Sequence, residues 1–362
     1  MLSRIIRIAV AAGALYLSAG CVRIDDLAPE EAPSGAIAFD AGSLALRDDA
    51  TKDVGPKFQI GPVDEFFVYG SKTTGGGQED VFDGTMVRLV SSLWGYDNTR
   101  FWDLQSTRYD FLAVAGPRST AGISCNPVET GPVTARVSYN SILGECNLMA
   151  ACNQRLATPD GRWMDGKQNP VQLTDPVDLH FHHLLSAVSV TVSNDRWSEG
   201  AVSLQSWRFQ NIAVSGDVTI VQNSSGIPDV DWKHSAYSTS TAVLGSTFVE
   251  PVILAPGSIY PAPEVESSGE SLIVDMMIPQ DIAHAYYEPQ LILSYTYEEP
   301  DYDSGSSITR SRTLPIPLGN VKNTDTGVPI TAWEPGMWYK YEIVIYSMGD
   351  IKVNVVASKW DD

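Results

Sequence analysis

From residue 35 to the end, the chain is a succession of short runs in which apolar and polar residues alternate or aromatic and β-branched residues cluster. No run between them carries the ~10–15-residue helical period that parallel crossover folds need. Strands without helices to carry them across a sheet pair antiparallel, and each sheet must bury one face against another. The pattern therefore predicts an all-β chain built as antiparallel β-sandwiches. The first half runs through GAIAFDA, VDEFFVYGS, TMVRLVSS, YDFLAVAG and VTARVSYN, with turns such as TTGGGQ and AGPRS between them. CNLMAAC (146–152) is a compact apolar piece that fits either a strand or a short helix. Residues 153–175 are polar and bear Gly and Pro. The second half opens with the long β-type run VDLHFHHLLSAVSVTVSN and continues through AVSLQSWRFQNIAVSGDVTIV, FVEPVILAPG, SLIVDMMIP, PQLILSYTYEE, RTLPIPL and YKYEIVIYSM. At 362 residues the chain has room for about two domains. The break falls near 175, giving 35–174 and 175–362.

The N-terminus has a different character. Arg4 and Arg7 make a cationic start, and Ile5 to Leu17 is apolar apart from Arg7 but too short to span a bilayer. Ser18-Ala19-Gly20 then supplies the small residues of a cleavage site directly before Cys21. The pattern resembles a bacterial lipobox, with Leu17 one place further out than usual and Ser18 where Leu is expected. It predicts removal of residues 1–20 and lipidation of Cys21, with two or three acyl chains holding the protein to a membrane. The competing reading is a plain secretion signal followed by an incidental cysteine. Residues 21–34 are acidic and Pro-containing, as a tether would be.

Charge narrows the partners. The chain carries a formal net charge of −20, and losing Arg4 and Arg7 with the signal deepens it by two. Such a surface repels nucleic acid and anionic headgroups, so nucleic-acid binding is discarded. With Cys21 lipidated, Cys125, Cys146 and Cys152 remain. Three cysteines allow at most one disulfide, for which Cys125–Cys146 is the favoured pair. No CxxC spacing points to a metal site.

The two ends of the β region carry complementary features. In GAIAFDA, Ile37, Phe39 and Ala41 fall on one face. The polar connection LALRDDATKDVG follows. In the tail, IKVNVVASKW, Ile351, Val353 and Val355 share a face opposite Lys352 and Asn354, with Val356 as the exception. A terminal strand with one apolar face needs a groove, and most such strands find it in their own fold.

Several segments, in order, resemble the fimbrillins of Bacteroidales, the major-fimbrillin-like and Mfa-like pilus subunits. They are LWGYDNTRFWDLQSTRYDFLAVAGP, CNLMAAC (with Asn147 in place of the family's acid), DLHFHHLLSAVSVTV and WEPGMWYKYEIVIYSMGDIKVNVVASKW. The resemblance implies two transthyretin-like β-sandwich domains in tandem and a lipoprotein precursor at the outer membrane. It also implies maturation by a trypsin-like protease in the loop after the first strand, which then leaves. The tail of a neighbouring copy or related subunit takes the vacated place, building a fimbrium at the cell surface. Arg47 is the chosen cut and Lys52 the second choice, the alternative being an ordinary solvated arginine. Ile37, Phe39 and Ala41 would be displaced, and Ile351, Val353 and Val355 would be donated.

Enzyme chemistry finds no foothold. HFHH places His180 and His182 on one strand face and His183 on the other, which suits structure better than metal, and His183 matches the family's strand histidine. Asp301, Asp303 and Gly305 suggest a calcium loop, but Arg312 stands where an EF-hand needs Glu. No Gly-x-Ser-x-Gly, phosphate-cradling loop or HExxH is present. No cofactor is expected. A stalk subunit of a pilus is the leading reading. The alternative is a surface lipoprotein that binds carbohydrate through Trp94, Tyr96, Phe101, Trp102 and Tyr109, which as a cluster suit a core better than a platform.

Overall fold

A computed structural model describes residues 35–41, 64–116, 123–125, 131–141, 147–196, 200–238, 244–260, 274–301, 303, 305–346 and 350–359. The chain is all-β. The strands up to residue 183 are β1 (Phe39–Asp40), β2 (Glu65–Thr74), β3 (Gly77–Val90), β4 (Leu93–Tyr96), β5 (Arg108–Ala115), β6 (Ile123–Cys125), β7 (Thr134–Asn140), β8 (Met149–Ala157), β9 (Trp163–Asp165), β10 (Pro170–Val171), β11 (Val177–Asp178) and β12 (His182–His183). Those that follow are β13 (Ser186–Asn194), β14 (Val202–Gln210), β15 (Ala213–Val221), β16 (Asp229–Tyr237), β17 (Leu244–Leu254), β18 (Ile259–Tyr260), β19 (Val274–Met277), β20 (Gln280–Asp281), β21 (Gln290–Pro300), β22 (Ser307–Pro317), β23 (Ala332–Trp333), β24 (Met337–Ile345) and β25 (Ile351–Lys359).

The largest sheet runs β10-β9-β8-β5-β2-β3-β4, with β12 also on β8. β5 lies inside it and is covered on both sides, which is why YDFLAVA reads as continuous rather than alternating. Tyr109, Phe111, Ala113 and Ala115 enter one core, and Leu112 and Val114 enter the other. The exception, Asp110, is buried but receives Gln154 Nε2 at 2.7 Å and pairs with Arg108. Met149–Cys152 of CNLMAAC are strand: small alanines let β8 pack flat between the two cores. Gly116 closes β5 at φ +113°, and a Cβ there would stand 2.1 Å from the Asn147 carbonyl oxygen, so only glycine fits.

Facing the Phe67–Leu112–Val114 side is the sheet β16-β15-β7-β6. It joins strands from both sides of the expected 174/175 division. Seven register pairs, Ser215↔Asn140 through Val221↔Thr134, tie β15 to β7. The β15–β16 hairpin thus completes the first sandwich, where Val218 and Ile220 pack against Val137 and Tyr139. Residues 177–183 also belong there, with Leu179 and Phe181 in its other core. The sequence gives no sign of this, because no Gly or Pro interrupts 177–194 and the run reads as one strand.

The second sandwich packs β18-β13-β24-β25, with β19 beside β13, against β17-β14-β21-β22. Its core includes Trp207, Phe209, Tyr295, Trp333 and Tyr341. β13 and β24 run parallel over eight pairs, as β1 and β11 do over two, so the pairing is not antiparallel throughout. A parallel neighbour needs a long return path, and here everything from β14 to β23 supplies it, with a single 3-10 turn at Leu318–Asn320 and no α-helix among the described residues.

Candidate functional site

Residues 35–41 form the seam that the sequence singled out. Their backbone lies between two walls. On one side Ala36 bridges Phe101 antiparallel, the Ile37 N–H donates to the Arg100 carbonyl at 2.8 Å, and the Trp102 N–H donates to Gly35 at 3.1 Å. On the other side β11 runs parallel to β1, with the Val177 N–H on Ala38 and the Leu179 N–H on Asp40, both at 2.8 Å. The Tyr96 hydroxyl donates to the Ile37 carbonyl at 2.6 Å, and burial raises the ionisation range of that phenol.

Alternation sets the contents of the seat. Ile37, Phe39 and Ala41 are 1%, 5% and 0% exposed, while Asp40 faces water. The Phe39 ring sits amid Phe82 (5.3 Å), Tyr96 (5.8 Å), Phe111 (5.9 Å) and Phe66 (6.2 Å), largely edge-on, the favoured geometry for aromatic pairs. Each fully buried aliphatic or aromatic side chain here is worth roughly 1.5–3 kcal/mol of burial.

Both walls are held from the body of the sandwich. Behind Arg100–Trp102, Asp103 takes the Lys72 ammonium at 2.8 Å, and its N–H donates to the Tyr109 hydroxyl at 2.6 Å. The Lys72 contact holds the Asp103 carboxyl below the usual carboxylate range. Behind β11, the Asn153 amide donates to the Asp178 carbonyl at 2.6 Å and buried Arg155 donates to the Pro176 carbonyl at 2.9 Å. Burial lowers the Arg155 range, against the pull of nearby Asp165, Asp175 and Asp178. These clamps escaped the sequence reading. Apart from the Lys72–Asp103 pair they act through a backbone N–H or carbonyl, which leaves no trace in a side-chain pattern.

The tail lies elsewhere. β25 pairs antiparallel with β24 along its length, from Ile345↔Ile351 to Met337↔Lys359. Val355 is fully buried and Ile351, Val353 and Ala357 pack on the second core. On its other edge Val355 bridges Asn323, and the Thr324 N–H donates to the Val355 carbonyl at 2.7 Å.

The remaining candidates are placed as follows. Cys21, Arg47, Lys52 and Cys146 lie outside the described residues, and with Cys146 the Cys125–Cys146 pairing; Cys125 ends β6. Cys152 is a buried free thiol that donates to the Asn223 carbonyl, and burial pushes it up to about 11. His180 is exposed beside Asp178 at 2.9 Å, and His183 is buried against Asn147. Among the described residues no three His, Cys, Asp or Glu side chains converge as a metal set. Asp301 caps the β21–β22 turn, taking the Asp303 and Gly305 N–H groups on its side chain and carbonyl. The five aromatics make no open platform. Trp102 and Tyr109 are buried, Trp94 and Tyr96 are half-buried around the seat, and only Phe101 is exposed, at 57%. Nor, among the described residues, is any helix long and apolar enough to cross a membrane.

A family model described as fimbrillin-like matches residues 51–360, the span that holds both walls of the seat and the tail. The chain belongs to the fimbrillin-like family. No curated protein matches this fimbrillin-like sequence. Similar solved structures include a candidate cell adhesion protein from Bacteroides uniformis, 13% identical, with TM-score 0.44 and coverage of 90% of this chain and 99% of that one. The tip fimbrial protein Mfa3 of Porphyromonas gingivalis, with a C-terminal truncation, is 10% identical, with TM-score 0.35 and coverage of 82% and 94%. The fimbrial anchor protein Mfa2 of the same organism is 11% identical, with TM-score 0.29 and coverage of 82% and 90%. As a fimbrillin-like chain the protein is a structural, non-enzymatic component of a cell-surface fimbrium that associates with other pilus subunits.

Proposed function

We propose that this fimbrillin-like protein is a stalk subunit joined to its neighbours by strand exchange. It is exported with residues 1–20 as its signal, lipidated on Cys21, and held at the outer membrane by the 21–34 tether. A trypsin-like protease cuts after Arg47, and residues 35–41 leave. The tail of one subunit, through Ile351, Val353 and Val355, enters the seat of the next. The body divides near residue 183, rather than 174, into an N-terminal sandwich completed by the β15–β16 hairpin and a C-terminal one that carries the donor strand.

The observation that carries this reading is the construction of the seat. Residues 35–41 are a short apolar plug between two walls, each clamped by side chains of the body rather than by the plug itself. Removing the plug uncovers an apolar trough and two rows of unpaired backbone groups, a template for an incoming strand. A head-to-tail contact of this kind does not close on itself, so it grows a filament.

Limited trypsin digestion of the purified mature protein tests it. The expected products are a chain beginning at Asp48 and a released fragment carrying residues 35–41; mixed with other pilus subunits, the cut chain should form a ladder of polymers that is absent when residues 351–362 are deleted. A digest that stays monomeric with residues 35–41 still attached would overturn the proposal.

A further inference from the structure

The seat and the tail can be compared side chain by side chain, and they do not match. The seat wants three sizes in order: a branched aliphatic where Ile37 sits, an aromatic where Phe39 sits and a small residue where Ala41 sits. The inward face of the tail offers Ile351, Val353, Val355 and Ala357. With Ile351 in the place of Ile37, Val353 falls among Phe66, Phe82, Tyr96 and Phe111, and Val355 crowds the fully buried Ala41 position. Sliding by two residues puts Ala357 at the small position but leaves Val355 under the same four rings. A slide of one residue would turn Lys352 and Asn354 inward. The register that brings a ring to the Phe39 position, with Trp360 there, puts the hydroxyl of Ser358 in the Ile37 place and the carboxylate of Asp362 in the fully buried Ala41 place, an unpaired buried charge. The registers that turn the aliphatic face inward leave a cavity of ring size, and cavities in a packed core are costly.

The same tail fits its present place well. Val355 is fully buried against the Asn323–Thr324 backbone, and its aliphatic neighbours close the second core beside Tyr341 and Ile343. The tail is shaped for an aliphatic edge, whereas the seat is shaped for an aromatic plug.

Building on the strand-exchange reading, we infer that the partner strand for this seat comes from a different subunit, not from a second copy of this chain. That strand carries an aromatic residue, with a branched aliphatic two positions before it and a small residue two positions after. The Phe39 pocket is then the element that selects the partner, and this subunit stands at a junction between unlike subunits on the seat side. Uniform polymers of this chain alone are disfavoured by the same mismatch.

The test uses the whole mature chain with a specific protease site placed in the 42–63 connection. After cleavage, the fragment bearing residues 35–41 stays seated and is labelled, and synthetic peptides are titrated to displace it. The peptides are residues 35–41, the tail 351–360, and the tail with Val353→Phe or Val355→Phe. The expected result is that one of the two Phe-bearing tails displaces the label at a concentration at least tenfold below that of the unmodified tail. Equal potency of the unmodified tail would overturn the inference and leave strand exchange standing. Failure of every peptide, the 35–41 sequence included, would sink strand exchange itself.

Discussion

Phe39 and the tyrosines of the second core show how single side chains divide the labour. Phe39 contributes by shape, filling a ring-lined pocket that a branched aliphatic cannot fill. Tyr295 and Tyr339 contribute by burial with their hydroxyls protonated, and burial pushes each up to about 12 from an ordinary 10.0. Tyr341 is shifted further in the same direction. The sign follows from which state ionises first. Below pH 10 neither the folded nor the unfolded chain loses these protons, so stability does not depend on them. Between pH 10 and about 12 the unfolded chain ionises while the folded one does not, which draws the equilibrium toward unfolding. Urea midpoints should therefore fall as pH rises through this window, with ionisation of Tyr295 and Tyr339, followed residue by residue by NMR, appearing together with unfolding. Ionisation of Tyr295 or Tyr339 near pH 10 in a chain that remains fully folded would contradict this burial.

Among the elements, alternation was the most legible signal. VTARVSYN predicts one buried and one exposed face, and β7 has them, with Ala135, Val137 and Tyr139 buried and Arg136 and Ser138 exposed. The two-faced burial of β5 was legible too, as an unbroken apolar run. GAIAFDA showed which side chains turn inward, and Ile37, Phe39 and Ala41 do so. What it could not show was the seat's walls, because Arg100–Trp102 and Val177–Leu179 contribute backbone groups whose partners are set by tertiary approach. β8 was open between helix and strand because its small residues suit either. Tyr96, at the end of β4, reaches the β1 segment with its hydroxyl. Replacing it, Tyr96→Phe, strands the buried Ile37 carbonyl at a cost of about 1–3 kcal/mol. Hydrogen exchange should then show the Ile37 amide opening roughly tenfold faster or more, with the β21 amides unchanged. Unaltered protection at Ile37 would show that the hydroxyl does not secure the plug.

At the scale of the whole molecule, the chain does not behave as two beads on a string. The β15–β16 hairpin leaves the second half to finish the first sandwich, so a fragment ending at 174 loses two of the four strands of one sheet and uncovers Ala135, Val137 and Tyr139. Residues 35–174 expressed alone should show no cooperative unfolding transition, whereas adding residues 175–238 should restore one. A sharp two-state melt of the shorter fragment would refute that dependence. The sequence concealed this arrangement because the hairpin has the same alternating pattern as its neighbours and nothing in it names the sheet it joins.

The same interleaving governs how the molecule bears tension. The backbone passes between the sandwiches where β12 leads into β13, again from β14 into β15, and once more from β16 to β17. A pull entering at the N-terminal trough and leaving through the far edge is shared by several covalent spans and by the β7–β15 ladder. A single flexible link would swivel and stretch under such force. This chain is cross-braced like a strut, and an appendage assembled from such struts would transmit drag to the cell with little give at the middle of each unit.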